Sequence, residues 1–300
     1  MKKYLPFILI GAMLLLVTPF IVGVFFLSPT IESNKGETVN NKPADQSHRS
    51  YEIDVTEKPT AHQITLNGPT TIKYRIKNDK GDIVTDFAIA HEKIMHFIVV
   101  RNDLTQFQHL HPDFNQETGE FSIAVTFPAA GPYHFFADFT PGANNPMQLP
   151  VTLYNDLTVG DTADFQPQEV TPDTKKEVSV PPDYHVTYTL PSALQSQTPV
   201  TYSLVVEKDN QPVTLEKYLG ALGHSVVLKE GTLDYIHTHA GEQADTTGHG
   251  EHGEHAMPPA QQENKIDFST TFPDAGIYRM FTQFQHQGNV LTTAYTVAVN

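Results

Sequence analysis

The 300-residue chain contains no cysteine. That absence excludes a disulfide framework, a thiolate metal site and cysteine catalysis, and leaves imidazole, carboxylate and thioether groups for any metal chemistry. Positive charge is scarce as well, with 19 Lys and Arg against 34 Asp and Glu and a net charge of −15. Such a chain lacks the means to grip a nucleic-acid backbone, which is bound through Lys and Arg at the phosphates. No segment beyond the N-terminus sustains the 3.6-residue apolar period of a helix, and no Asp-x-Asp-x-Asp loop suited to calcium occurs.

Long apolar runs are also lacking, save one. Leu5 to Leu27 is uncharged over 23 residues behind Lys2 and Lys3, long enough to cross hydrocarbon about 30 Å thick. No small-x-small cleavage pattern follows it. Residues 1–28 are therefore expected to form a retained single-pass anchor in the cell membrane, basic end in the cytoplasm and the remainder extracytoplasmic, the alternative being a cleaved signal peptide. Polar residues 29–50 read as a flexible stalk.

What the chain does have is histidine in a repeated arrangement. His96, His109 and His111 recur as His224, His237 and His239 at a constant offset of 128, which Tyr74 and Tyr202 share. Beyond them Phe127-Pro128, Gly131, Tyr133, Phe136 and Phe139 match Phe272-Pro273, Gly276, Tyr278, Phe281 and Phe284 at an offset of 145. The second copy thus carries 17 extra residues between His239 and Phe272, in a stretch that includes His249, His252 and His255. Lacking apolar periodicity, that loop reads either as a solvated acidic loop or as a low-affinity collector that raises the local metal concentration beside the second site.

Within each copy the apolar runs are short, alternating and rich in Val, Ile, Thr, Tyr and Phe, the pattern of half-buried strands. The expected fold is all-β: two tandem immunoglobulin-like or cupredoxin-like β-sandwich domains after an N-terminal transmembrane helix. The boundaries are 51–159 for the first domain, 160–182 for a Pro-rich linker, and 183–300 for the second domain with its histidine-rich loop at 240–262.

The histidines fall on such strands. With Lys93 to Val100 extended, His96 shares a face with Ile94, Ile98 and Val100, while His109 and His111 share a face of the next run. Hairpins turning at Asn102-Asp103 and Glu230-Gly231 would set His96 opposite His109 and His224 opposite His237, with the third histidine two residues along. Three imidazoles then converge in each copy, a donor set suited to copper or, alternatively, zinc. His91 is a further candidate for the first site alone, since Leu219 takes its place in the second copy. The run His91 to His96 is not the zinc-protease helix motif, because its spacing is five. His134 and Asp138 align with Arg279 and Gln283, so both are expected at the surface or a sheet edge. Met95 and Met280 are expected to be core filler.

The run His91-Glu92-Lys93-Ile94-Met95-His96, followed by Asp103-Leu104, Phe107, His109, His111 and Pro112 and by Gly131 to Phe139, resembles a poorly characterised group of bacterial extracytoplasmic, membrane-anchored β-sandwich proteins. More loosely it is similar to YtkA-like and copper-resistance sandwich domains. The resemblance implies copper or other heavy-metal handling. The expectation is therefore a non-enzymatic, membrane-anchored protein that binds, buffers or delivers copper through His91, His96, His109, His111, His224, His237 and His239, serving a metal transporter or cuproprotein client. The alternative is a structural or adhesive cell-surface protein without a functional metal site.

Overall fold

The computed structural model describes residues 51–142, 149–163, 165–232, 234–241 and 263–300. The expected anchor (1–28), the stalk (29–50) and nearly all of the histidine-rich loop lie outside the described residues. Among those described, strands dominate and no α-helix occurs.

The first copy contains β1 (Tyr51–Glu57), β2 (Pro69–Asn78), β3 (Phe87–Ala88), β4 (His96–Arg101), β5 (Gln108–Leu110), β6 (Asp113–Asn115), β7 (Glu120–Thr126), β8 (Gly131–Pro141) and β9 (Val151–Val159). One sheet runs β1-β2-β7-β6. In the other, β8 lies between β9 and β4, β5 pairs with β4, and β3 pairs with the end of β8. The second copy contains β10 (Glu177–Val180), β11 (Tyr184–Thr189), β12 (Pro199–Lys208), β13 (Gln211–Pro212), β14 (Gly223–Lys229), β15 (Tyr235–His239), β16 (Lys265–Thr271), β17 (Gly276–His286) and β18 (Asn289–Val299). Its sheets are β10-β11-β12-β16, with β13 beside β12, and β15-β14-β17-β18. Strand for strand, β11, β12, β16 and β14, β15, β17, β18 repeat β1, β2, β7 and β4, β5, β8, β9. The internal repeat is thus a repeated β-sandwich.

Period-two alternation builds each core. Along β2, Ile72, Tyr74 and Ile76 are fully buried while Lys73, Arg75 and Lys77 face outward. Tyr74 lies stacked between Phe97 and Phe121, at 5.3 Å from each, and Tyr202 repeats the arrangement against Phe268 at 5.3 Å. Burying each such ring contributes about 1.5–3 kcal/mol.

β4 and β14 depart from alternation, being buried on both faces. Their odd-numbered residues Phe97, Val99 and Val227 enter the domain cores. Ile98, Val100 and Phe136 of the first copy instead form a third cluster with Val226, Leu228 and Phe281 of the second. The two histidine-bearing sheets therefore pack against each other. Aromatic pairs mark the symmetry of that contact: Phe107 stacks on Phe281 (4.3 Å, 5°), and its counterpart Tyr235 stacks on Phe136 (5.1 Å, 25°).

The segment expected as a linker is tied to both copies. Gln168 donates its backbone N–H to Asp103 Oδ2 at 3.0 Å, and Val170 enters the third cluster. Asp173 exchanges hydrogen bonds with the Thr296 backbone at 2.9 and 2.8 Å. β10, at Glu177–Val180, lies within the expected linker range and pairs with β11.

Candidate metal centre

A tight turn precedes each first histidine. Ala90 and Lys93 exchange backbone hydrogen bonds around His91 (φ 48°) and Glu92 (φ 65°), and Tyr218 and Ala221 do the same around Leu219 (φ 50°) and Gly220 (φ 80°). Two successive positive φ values define the hairpin turn whose twist matches flanking strands. This bend shortens the strand expected at 93–100 to His96–Arg101 and brings His91 back over the cluster. It also aims a carbonyl at the next histidine: Ala90 O accepts from His96 Nε2 at 3.2 Å, and Tyr218 O accepts from His224 Nε2 at 2.7 Å.

The hairpin register differs from expectation by two residues. His109 pairs with Ile98 rather than with His96, and His224 pairs with His239 rather than with His237, which faces Val226. The cause is longer connections than two-residue turns. In the first copy Arg101 N–H reaches Thr105 O, and Leu104 and Gln106 both take positive φ; in the second Lys229 N–H reaches Asp234 O around Gly231 (φ 80°). A shift of two preserves the face of every side chain, so the imidazoles still converge.

They converge as one cluster instead of two. Because the histidine-bearing sheets face each other, His96 lies 5.1 Å from His237 between ring centroids, and His109 lies 5.6 Å from it. His91, assigned by sequence to the first copy, stacks on His239 of the second at 3.4 Å and 17°. Two triads hold ligand atoms within 4.8 Å of one another: His96, His109 and His237, and His224, His237 and His239. His111 approaches through Nε2, 3.3 Å from His96 Nδ1, while His109 Nε2 lies 3.0 Å from that same atom.

The second histidine of each copy is held by the opposite copy. His109 Nδ1 donates to Gln283 Oε1 at 2.8 Å, and His237 Nδ1 donates to Asp138 Oδ2 at 2.9 Å. Tyr235 Oη also donates to Asp138 Oδ2, at 3.0 Å. Asp138 and Gln283 are buried, against the expectation of a surface or edge position for Asp138. Their strands explain this: Asp138 pairs across with His96 and Gln283 with His224, which places each on its histidine-bearing face. The signal was available in the sequence as the 145-residue alignment of the two, but only the sheet-to-sheet contact gives it meaning. His134 lies elsewhere, paired with Asp156. Met95 and Met280 sit in the domain cores, as expected.

Burial governs the electrostatics. It lowers His96 to about 2, with electrostatic repulsion from His237 adding to the effect and the Asp138 carboxylate opposing it. Burial likewise pushes His109 well below the usual histidine range, and it lowers His111 to about 4 with help from Lys93 and His237. For Asp138 burial alone would raise the carboxyl, but the hydrogen bond from His237 and its electrostatic attraction, with His96 and Tyr235, hold it below the usual carboxylate range. Among the described residues, His237 Nε2 is buried without a hydrogen-bond partner.

The arrangement fits a metal ion. His96, His109, His224 and His237 each commit one ring nitrogen to a carbonyl or carboxylate oxygen, the support that fixes ring orientation and tautomer in histidine-ligated sites. That leaves Nδ1 of His96 and Nε2 of His109 as lone pairs facing each other. With bonds of about 2.0 Å, the 3.0 Å separation of His96 Nδ1 and His109 Nε2 subtends about 97° at a common ion. Such an angle suits four-coordinate geometry.

Fold and site define a class, a pair of β-sandwiches with a histidine cluster between them. The chain belongs to the family described as Domain of unknown function (DUF8832), whose model matches residues 49–156 and again 178–300. No curated protein matches the chain. Among solved structures it is similar to a Salmonella alpha-2-macroglobulin mutant (10% identity, 84% of this chain and 14% of that one, TM-score 0.23). It is also similar to MtrC from Shewanella baltica OS185 (8% identity, 84% and 69%, TM-score 0.24) and to a chimeric titin Z1Z2-Z1Z2 tandem (10% identity, 83% and 100%, TM-score 0.19). The chain thus spans about one seventh of that alpha-2-macroglobulin.

Proposed function

We propose that this is a membrane-anchored, extracytoplasmic metal-binding protein, with two immunoglobulin-like or cupredoxin-like sandwiches that bind copper between them and buffer or deliver it to a transporter or cuproprotein client. The observation that supports this most is the paired orientation of the buried histidines, outer nitrogens fixed on oxygen acceptors and inner nitrogens at ligand-like separations. A structural cluster would gain nothing from lone pairs turned toward each other, since unpaired buried polar atoms cost about 1–3 kcal/mol each. Protons are poor substitutes for a metal here, because burial disfavours the charged imidazole. The donor set is imidazole, which suits copper and zinc alike, and zinc is the alternative occupant.

The test is metal analysis of the full-length protein in detergent after exhaustive dialysis, with spin-resonance spectra of the copper-loaded sample. Retained copper that is lost in a variant carrying His96→Ala, His109→Ala and His237→Ala is the expected result. Equal and negligible retention by both proteins would return the chain to the structural or adhesive reading.

A further inference from the structure

The two triads have one member in common. His237 belongs to the set with His96 and His109 and to the set with His224 and His239. Its Nδ1 is committed to Asp138 Oδ2 at 2.9 Å, which leaves Nε2 alone to bind a metal. One nitrogen lone pair serves one ion at a time. Three-histidine ligation on one triad therefore denies it to the other.

Charge points the same way. The carboxylate that the described geometry brings to the centre is Asp138, whereas the ligands themselves are neutral imidazoles. One copper ion against one carboxylate leaves a net charge of zero or +1, depending on oxidation state. On the same count two ions would leave +1 or +3, in either oxidation state more than one ion leaves, in a site whose His96, His109, His224 and His239 are all buried. Buried charge without a counter-charge costs several kcal/mol.

Resting on the metal-binding reading above, we propose that the centre holds a single ion per chain, seated on either triad and exchanging between them, with His237 as the ligand common to both seats. The repeat would then have produced two positions for one ion where independent domains would have produced two ions. A carrier gains from this, because an ion can shift from one copy's histidines to the other's without losing its strongest-held ligand.

The experiment is a copper titration of the full chain, in detergent, against a chromophoric chelator. His249→Ala, His252→Ala and His255→Ala are introduced throughout so that only the centre is counted. The expected stoichiometry is one tight ion. His96→Ala and His239→Ala each empty one seat, so both variants should keep one ion at reduced affinity and with different copper spectra. His237→Ala should lose tight binding, beyond the roughly 10–100-fold that removal of a supporting partner costs. His237→Gln, which keeps a polar side chain, should lose it too while showing the thermal unfolding of the parent. Two tight ions in the parent, falling to one in each single variant, would overturn the proposal. A parent that binds no copper or zinc at all would instead refute the metal-binding reading on which it rests.

Discussion

The two copies agree in backbone and disagree in charge. Each places a tight turn at the same offset, at Ala90–Lys93 and Tyr218–Ala221, and each turn supplies the carbonyl that orients the following histidine. Each donates an aromatic ring to the other across the shared face, Phe107 to Phe281 and Tyr235 to Phe136. Yet the residue that reaches across to hold the opposite histidine is a carboxylate in the first copy, Asp138, and an amide in the second, Gln283. A repeated scaffold sets where the imidazoles point, while one unmatched charge distinguishes how the two cross-held histidines are supported. A carboxylate behind an imidazole raises its basicity more than a neutral acceptor does.

The largest effect should come from the shared face itself. Phe136→Ala and Phe281→Ala, at equivalent positions and both nearly fully buried, are each expected to destabilise the protein by about 3–5 kcal/mol. Denaturant unfolding checks this. Values that differ from each other by more than about 1.5 kcal/mol would break the symmetry of the contact, and values near zero would mean the two sheets do not pack.

Next comes the charge difference. Asp138→Asn keeps the shape and removes the charge, and should weaken copper binding by about 10–100-fold. Gln283→Leu removes only a neutral acceptor from His109 and should weaken it less, as read by the same chelator competition. An equal loss in both would remove the distinction drawn between the copies.

The metal-free protein should lose stability in acid through the first copy's histidines. An unfolded histidine takes up its proton near pH 6.5, whereas burial holds His111 at about 4 and His96 at about 2. The unfolded state therefore binds more protons below pH 6.5, so stability falls as pH falls. Each histidine contributes up to about 1.4 kcal/mol per pH unit within its window. The share of His111 is complete near pH 4, and that of His96 continues to about 2. Urea midpoints between pH 7.5 and 5 should decline steeply and become flatter in His96→Ala. A flat profile in the parent would contradict the burial argument.

The smallest effect is expected at Leu219, the counterpart of His91. Its backbone has φ 50°, which histidine tolerates better than leucine. Leu219→His should change the melting temperature by no more than a few degrees, upward if at all. A large loss would show that the two turns are not equivalent in their surroundings.

The strands, the repeat and the facing of His96, His109, His224 and His237 were legible in the sequence because period-two alternation fixes the face of every residue from local pattern alone. The hairpin register was not, since it depended on loops at Leu104 and Gly231 whose positive φ adds residues that a two-residue turn would not contain. Nor was the merging of two sites into one. The outward face of β4 and β14 reads as Ile98, Val100, Val226 and Leu228, apolar residues that a single sandwich has no core to receive. They imply a covering partner, and the covering partner is the other copy. Asp138 was misplaced for the same reason: alone it is a charged residue late in a strand, and only the facing sheet supplies His237 and Tyr235 as its partners.

The central claim is that histidines of both copies make one metal centre. Anomalous diffraction at the copper edge from crystals of the copper-loaded protein tests it most directly. The account predicts a peak about 2.0–2.1 Å from His237 Nε2, bound with His96 and His109 or with His224 and His239. Two separated peaks, one bound by His96, His109 and His111 and the other by the second copy, or no peak within bonding distance of His237, would contradict it.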